Sequence, residues 1–146
     1  MLVKDIMSNF VIMVDEQTNL REIARKMRDH DVGCLLVYTE DNLSGIVTDR
    51  DITCKGVVNR DSDVLTAADI MSKDIIWCKE NENIEDAIRL MENNQIKRLP
   101  VLDEDMDLVG ILTLGDVSTH LSHELAGEVV EAISSSANKI CPTIVN

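Results

Sequence analysis

The chain has 146 residues, of which 45% are hydrophobic and only 2% aromatic, so a core is expected and it must be aliphatic. A net charge of −13 with no basic run argues against a nucleic-acid backbone as partner. No apolar stretch approaches the ~20 residues of a membrane span, and the opening MLVKDIMSNF lacks the apolar run of a secretion signal, so no membrane contact and a cytoplasmic protein are expected.

In chain order, a short strand is expected around residues 11–14. Leu20, Ile23, Ala24 and Met27 then fall on one face of a helix. CLLVY (34–38) is too short for a helix and suits a buried strand, TEDN is a hairpin turn, and LSGIV (43–47) is the return strand. Thr48 opens a second helix with Asp51 three residues on, and KGVVNRDSDVLT (55–66) is the connector. The order then starts again: a short strand around 75–78, a helix face of Ile84, Ala87, Ile88 and Met91, LPVLD (99–103), the polar turn DEDMD, LVGIL (108–112), and Thr113 with Asp116. From about Leu121, LSHELAGEVVEAIS is expected to prolong the last helix, with Leu121, Leu125, Val129 and Ala132 along an amphipathic face, before a frayed SSANKICPTIVN.

The chain is therefore a tandem repeat. Asp5-Ile6-Met7-Ser8 recurs as Asp69-Ile70-Met71-Ser72, and GIVTDRD (45–51) recurs as GILTLGD (110–116). Ordered matches between them, such as Asn19 with Asn83 and Met27 with Met91, make chance a poor explanation. Neither copy is large enough to bury its sheet well alone.

These residues, together with IKRLPVLDED (96–105), resemble the CBS domain, the cystathionine β-synthase repeat. The resemblance covers about residues 1–120 and implies an α+β fold of two tandem CBS repeats, each a short sheet packed with two helices. The expected divisions are 1–62 for repeat one with the start of the connector, 63–120 for repeat two, and 121–146 for a C-terminal helix and tail. A stand-alone pair of this kind implies a non-catalytic regulatory module that binds adenosine nucleotides between its repeats, as a homodimer forming a four-repeat disc.

On the residues alone, Thr48-x-x-Asp51 and Thr113-x-x-Asp116 read as helix caps, a Thr at the N-cap being worth roughly 0.5–2 kcal/mol. The same carboxylates suit the two hydroxyls of a ribose. The resemblance implies that both uses coexist, with Asp116 and Asp51 on ribose, and Lys97, Arg98, Thr113, Arg50 and Thr48 on phosphate. It also places Ile12, Met13, Ile76 and Trp77 along the base, although all four suit a core equally well. Copy two has Lys97-Arg98 where copy one has Gly33-Cys34, and it keeps the family's Pro100 where copy one has Leu36, so the second site is the stronger expectation.

Other chemistry is thinly supported. Cys34, Cys54, Cys78 and Cys141 form no C-x-x-C pair and are expected as thiols, Cys34 and Cys78 within the core. His120, His123 and Glu124 have a spacing that metal ligands use, but without further clustered ligands they suit a solvated face, and no metal or other cofactor is expected. No nucleophile, general base or Gly-rich phosphate loop is evident, so an enzyme is the weakest expectation. The main rival to the sensor is a ligand-free interaction module in which both Thr-x-x-Asp loops only cap helices.

Overall fold

Alternation along two short hairpins sets the architecture. In the computed structural model, which describes residues 1–135 except Asp41 and Arg60, each copy builds a three-stranded sheet. The first is β1 (Met13–Asp15), β2 (Cys34–Thr39) and β3 (Asn42–Thr48); the second is β4 (Cys78–Lys79), β5 (Arg98–Leu102) and β6 (Leu108–Thr113). In each sheet the short strand runs parallel to the middle one and the hairpin is antiparallel. The helices are α1 (Leu20–His30), α2 (Asp49–Asp51), α3 (Ala67–Ile70), α4 (Ile84–Asn94), α5 (Leu114–His120) and α6 (His123–Ser134). A π-helical run, Ile52–Val57, continues α2 into the start of the expected connector. The fold is thus mixed α+β, with the same sheet pattern built twice, as expected.

The chain packs as two units that cut across the sequence repeats. One takes Val11–Ile75; the other takes Met1–Phe10 and the chain from Ile76 onward. The reason lies in the repeated Asp-Ile-Met-Ser segments, each of which docks on the hairpin of the other copy. Ser8 exchanges two backbone hydrogen bonds with Ile111, both 2.9 Å, and Ser72 does the same with Ile46 at 2.9 and 3.1 Å. Just upstream, Ile84 N–H donates to the Met1 carbonyl and Val3 N–H to that of Glu82; Leu20 and Ala67 make the matching bonds to Leu65 and Thr18.

In the Val11–Ile75 unit, one face of the sheet carries Val14, Leu35, Val37 and Val47 into a core with Ile23, Met27 and Ile70. In the other unit Cys78, Leu99, Val101 and Leu112 meet Val3, Ile84, Met91 and Val129. The helix faces follow the predicted spacing except at Ala24, which is exposed. α1 and α4 both end on a left-handed residue, Asp31 and Gln95, with N–H groups turned back to the last carbonyls, a C-cap more often made by Gly.

Two expectations fail locally. The last helix is not prolonged through Leu121: the backbone turns extended there and Ser122 N-caps a separate α6, its hydroxyl accepting from Leu125 N–H at 3.3 Å. Consequently the buried residues of α6 are Val129 and Ile133, while Leu125 is exposed. The short strands also begin later than expected. In copy one Leu36 N–H donates to the Ile12 carbonyl at 3.1 Å. Pro100, at the matching place, has no N–H to give, and β4 starts only at Cys78, leaving Trp77 outside the ladder. Residues 136–146, which hold Cys141 and all but the first residue of the tail expected to fray, lie outside the described residues.

Cys78 is fully buried. Burial, with a smaller contribution from the nearby Glu82 charge, pushes its thiol from 9.0 up to about 12. The folded state therefore holds the Cys78 proton where the unfolded chain loses it. This group's contribution to stability is intact below pH 9.0 and is lost as pH rises towards about 12. At pH 8, iodoacetamide should label the exposed Cys54 rapidly and Cys78 only on unfolding, as read by peptide mass spectrometry. Equal labelling rates in the folded protein would contradict this.

Candidate functional site

Both Thr-x-x-Asp loops sit where a return strand becomes a helix, and both form the capping box. Thr113 Oγ1 accepts from the Asp116 N–H at 3.1 Å, while Asp116 Oδ2 accepts from the Thr113 N–H at 2.8 Å and the Thr113 hydroxyl at 2.7 Å. Thr48 and Asp51 make the two backbone bonds at 3.2 and 2.9 Å. A third box, Thr66 with Asp69, opens α3: Asp69 Oδ2 accepts from the Thr66 N–H at 2.8 Å and its hydroxyl at 3.1 Å. Thr66-x-x-Asp69 carries the same sequence signature, with Thr66 at the end of the expected connector and Asp69 opening the second Asp-Ile-Met-Ser segment.

What surrounds each box differs. Register pairs Arg98 with Thr113, so their side chains leave the second sheet on the same face. The Leu114 N–H donates to the Lys97 carbonyl at 2.8 Å, which fixes the Lys97-Arg98 step beside the start of α5. Neither cation has an ion-pair partner among the described residues. Asp116 Oδ1 likewise has no donor among them. Lys97, Arg98, Thr113 and Asp116 are thus brought together at one edge of one unit. Pro100 is buried on the same strand, opposite Ile111.

In the first unit Cys34 takes the place of Arg98, opposite Thr48. Arg50 is exposed beside Asp51, and Asp51 Oδ1 is engaged by Lys55 Nζ at 3.0 Å. Of the four residues expected along the base, Ile12 and Ile76 pack against the two cores, whereas Met13 and Trp77 stay 41% and 37% exposed. Met13 pairs with Leu36, which puts it on the same sheet face as Thr48 by alternation. Asp49 and Lys55 were not singled out by the sequence pattern; aligning the copies would have shown them facing Leu114 and His120.

His120 points its Nδ1 at the Asp116 backbone oxygen, 2.8 Å away, and at Thr119 Oγ1. Among the described residues no three His, Cys, Asp or Glu side chains gather as a metal site. No described helix is long and apolar enough to cross a membrane.

The profile of the CBS domain matches residues 3–55 and 67–123, so this chain belongs to the CBS-domain family and is a CBS pair, a regulatory module. It is 37% identical over 134 residues to Hypoxic response protein 1 of Mycobacterium tuberculosis, covering 90% of this chain and 93% of that one. A crystal structure of Hypoxic Response Protein I with two coordinated zinc ions is similar at a TM-score of 0.73 and 36% identity, covering 84% of this chain and all of that one. The CBS domain pair of protein MJ0100, solved in complex with 5′-methylthioadenosine and S-adenosyl-L-methionine, matches at a TM-score of 0.73 and 29% identity, covering 88% of this chain and 98% of that one.

Proposed function

We propose that the protein is a non-catalytic sensor of adenosine nucleotides, with the ligand held in the second unit by Lys97, Arg98, Thr113 and Asp116. The observation that carries this is the Lys97-Arg98 pair, unpaired among the described residues of a chain of net charge −13. An acidic protein repels a phosphate unless a local cationic pocket overrides the field. Here the Lys97-Arg98 step flanks a carboxylate with an uncommitted oxygen. Asp116 Oδ1 suits the hydroxyls of a ribose, the two cations suit phosphate, and the half-exposed Trp77 offers apolar contact to the base. Adenosine-type ligands are those named for the MJ0100 pair, which supports a ligand of the same class here.

Binding would act by population shift: the ligand favours whichever conformation it contacts better, and a partner protein reads that conformation. The homodimer and the cytoplasmic location belong to the same proposal and rest on the family resemblance. Calorimetric titration with AMP, ADP, ATP, NAD and S-adenosylmethionine tests it. One saturable ligand is expected. A phosphate-bearing ligand should weaken with added salt and by roughly tenfold or more when Arg98 becomes alanine, the loss of one charge-assisted bond. Silence from folded, nucleotide-free protein would overturn the sensor.

A ligand-free interaction module is the second reading, and Thr66 with Asp69 favours it, because the same box recurs there as the cap of the short α3, outside the two return-strand loops. Under that reading Asp116 and Asp69 are equivalent, and their alanine variants should differ in nothing except position.

A further inference from the structure

The two copies of the loop differ in what already occupies them. In the first unit the chain's own side chains take the groups a nucleotide would use. Asp51 Oδ2 accepts from the Thr48 N–H at 2.9 Å and Oδ1 from the Lys55 ammonium at 3.0 Å. Lys55 also donates to the Ile70 carbonyl at 3.4 Å, so it is held from two sides. The carboxylate end of this pair is sheltered, the Asp51 side chain being 15% exposed against 51% for Lys55. The Arg50 N–H is taken by Asp49 Oδ1 at 2.9 Å and the Asp49 N–H by the Gly33 carbonyl at 3.0 Å.

The second unit keeps only the backbone part of this closure, the Leu114 N–H bond to the Lys97 carbonyl, and lacks the side-chain part. Leu114, Gly115 and His120 stand where copy one has Asp49, Arg50 and Lys55. Leu114 offers no carboxylate to the Gly115 N–H. His120 is turned to the Asp116 backbone oxygen rather than to its carboxylate.

We propose that the first loop is a self-closed copy of the site: Lys55 stands where a ribose would bind Asp51, Asp49 covers the N–H and supplies the negative charge that a phosphate would meet, and the chain therefore takes one nucleotide, in the second unit. This rests on the sensor reading above. Two neutral ribose hydroxyls would have to displace an ammonium from a sheltered carboxylate, exchanging an ion pair for bonds in which only the acceptor is charged. An i,i+4 ion pair that merely steadied the turn would change stability when removed, not the number of ligands bound.

The test uses AMP as the calorimetric probe. Asp116→Ala empties the second unit, and on that background Asp49→Leu with Lys55→His carries the second unit's own residues into the first loop, where the exposed Arg50 remains as the cation for phosphate. The expected result is one AMP per wild-type chain, none for Asp116→Ala, and one regained in the triple variant, lost again on adding Asp51→Ala. If the triple variant does not fold, Lys55→His with Asp116→Ala is read instead. Wild type that binds two AMP, or a folded reopened variant that stays silent while wild type binds one, overturns the closure and leaves the sensor standing. If wild type binds no AMP but saturates with another ligand of the panel, the same variants are read with that ligand; if it is silent across the panel, the sensor reading falls. In that case Asp49→Leu with Lys55→His on the wild-type background decides closure: one AMP bound supports it, none overturns it.

Discussion

Asp116→Ala is expected to lower nucleotide affinity by about 100-fold or more while costing only about 0.5–2 kcal/mol of stability. The first figure follows from two hydrogen bonds to a charged acceptor, about 1.5–3 kcal/mol each, at about 1.4 kcal/mol per tenfold. The second is the loss of a cap, since Asp116 Oδ2 accepts from both the N–H and the hydroxyl of Thr113. Asp69→Ala is the matched control: it removes the same box from α3, with bonds of 2.8 and 3.1 Å, and should cost a similar stability with nucleotide affinity unchanged. Titration and denaturant melts of both variants separate the two quantities. Equal binding by Asp116→Ala and Asp69→Ala would reduce all the Thr-x-x-Asp boxes to helix caps.

That control became available only with the structure, and it shows where sequence pattern stops being informative. Period-two and helical spacing located the hairpins and α1 and α4, because those elements bury one face each and the burial dictates residue type. Leu35, Val37 and Val47, and their counterparts Leu99, Val101 and Leu112, point to the cores as their alternation requires. Elements set by one or two hydrogen bonds were not legible. The break before α6 depends on Ser122 accepting a single N–H, and the late start of β4 accompanies a proline that cannot donate to the Ile76 carbonyl. A hydrophobic pattern passes over both.

Much of the candidate site was legible as residue types, because Thr, Asp and the Lys-Arg step stand out at matched positions of a repeat. Occupancy was not. Asp51 and Asp116 occupy matching places in the sequence, yet Lys55 has taken an oxygen of one and nothing described has taken the corresponding oxygen of the other. Whether a lysine four residues on reaches a carboxylate depends on how the helix continues. Here it continues as a π-helical run whose Gly56 lies against Leu20. The crossing of the two leading segments was equally hidden, since a repeated motif does not say which copy it packs against.

Gly110→Ala should be the most disruptive single methyl in the second unit, costing about 2–4 kcal/mol in denaturant unfolding. No glycine of the described chain has positive φ, so conformational freedom is not the reason for this residue. Close approach is. A Cβ on Gly110 would lie 2.7 Å from the Ser8 carbonyl oxygen and 2.9 Å from Met7 Sδ. The thioether can swing away, but the carbonyl cannot, because Ser8 is pinned to Ile111 by two backbone bonds of 2.9 Å. Relief therefore requires lifting the leading segment off β6, which strains both bonds and loosens Val3 and Ile6, buried to 0% and 7% exposure. Gly45→Ala poses the same problem more mildly: its Cβ would meet the Ser72 carbonyl at 3.0 Å and, more closely, the movable Met71 thioether. It should cost less than Gly110→Ala, and amide exchange should quicken first at Ser8 and Ile111 in the Gly110 variant, and at Ser72 and Ile46 in the Gly45 variant. If both variants unfold at the wild-type midpoint, close backbone approach is not what keeps glycine in each copy of the motif.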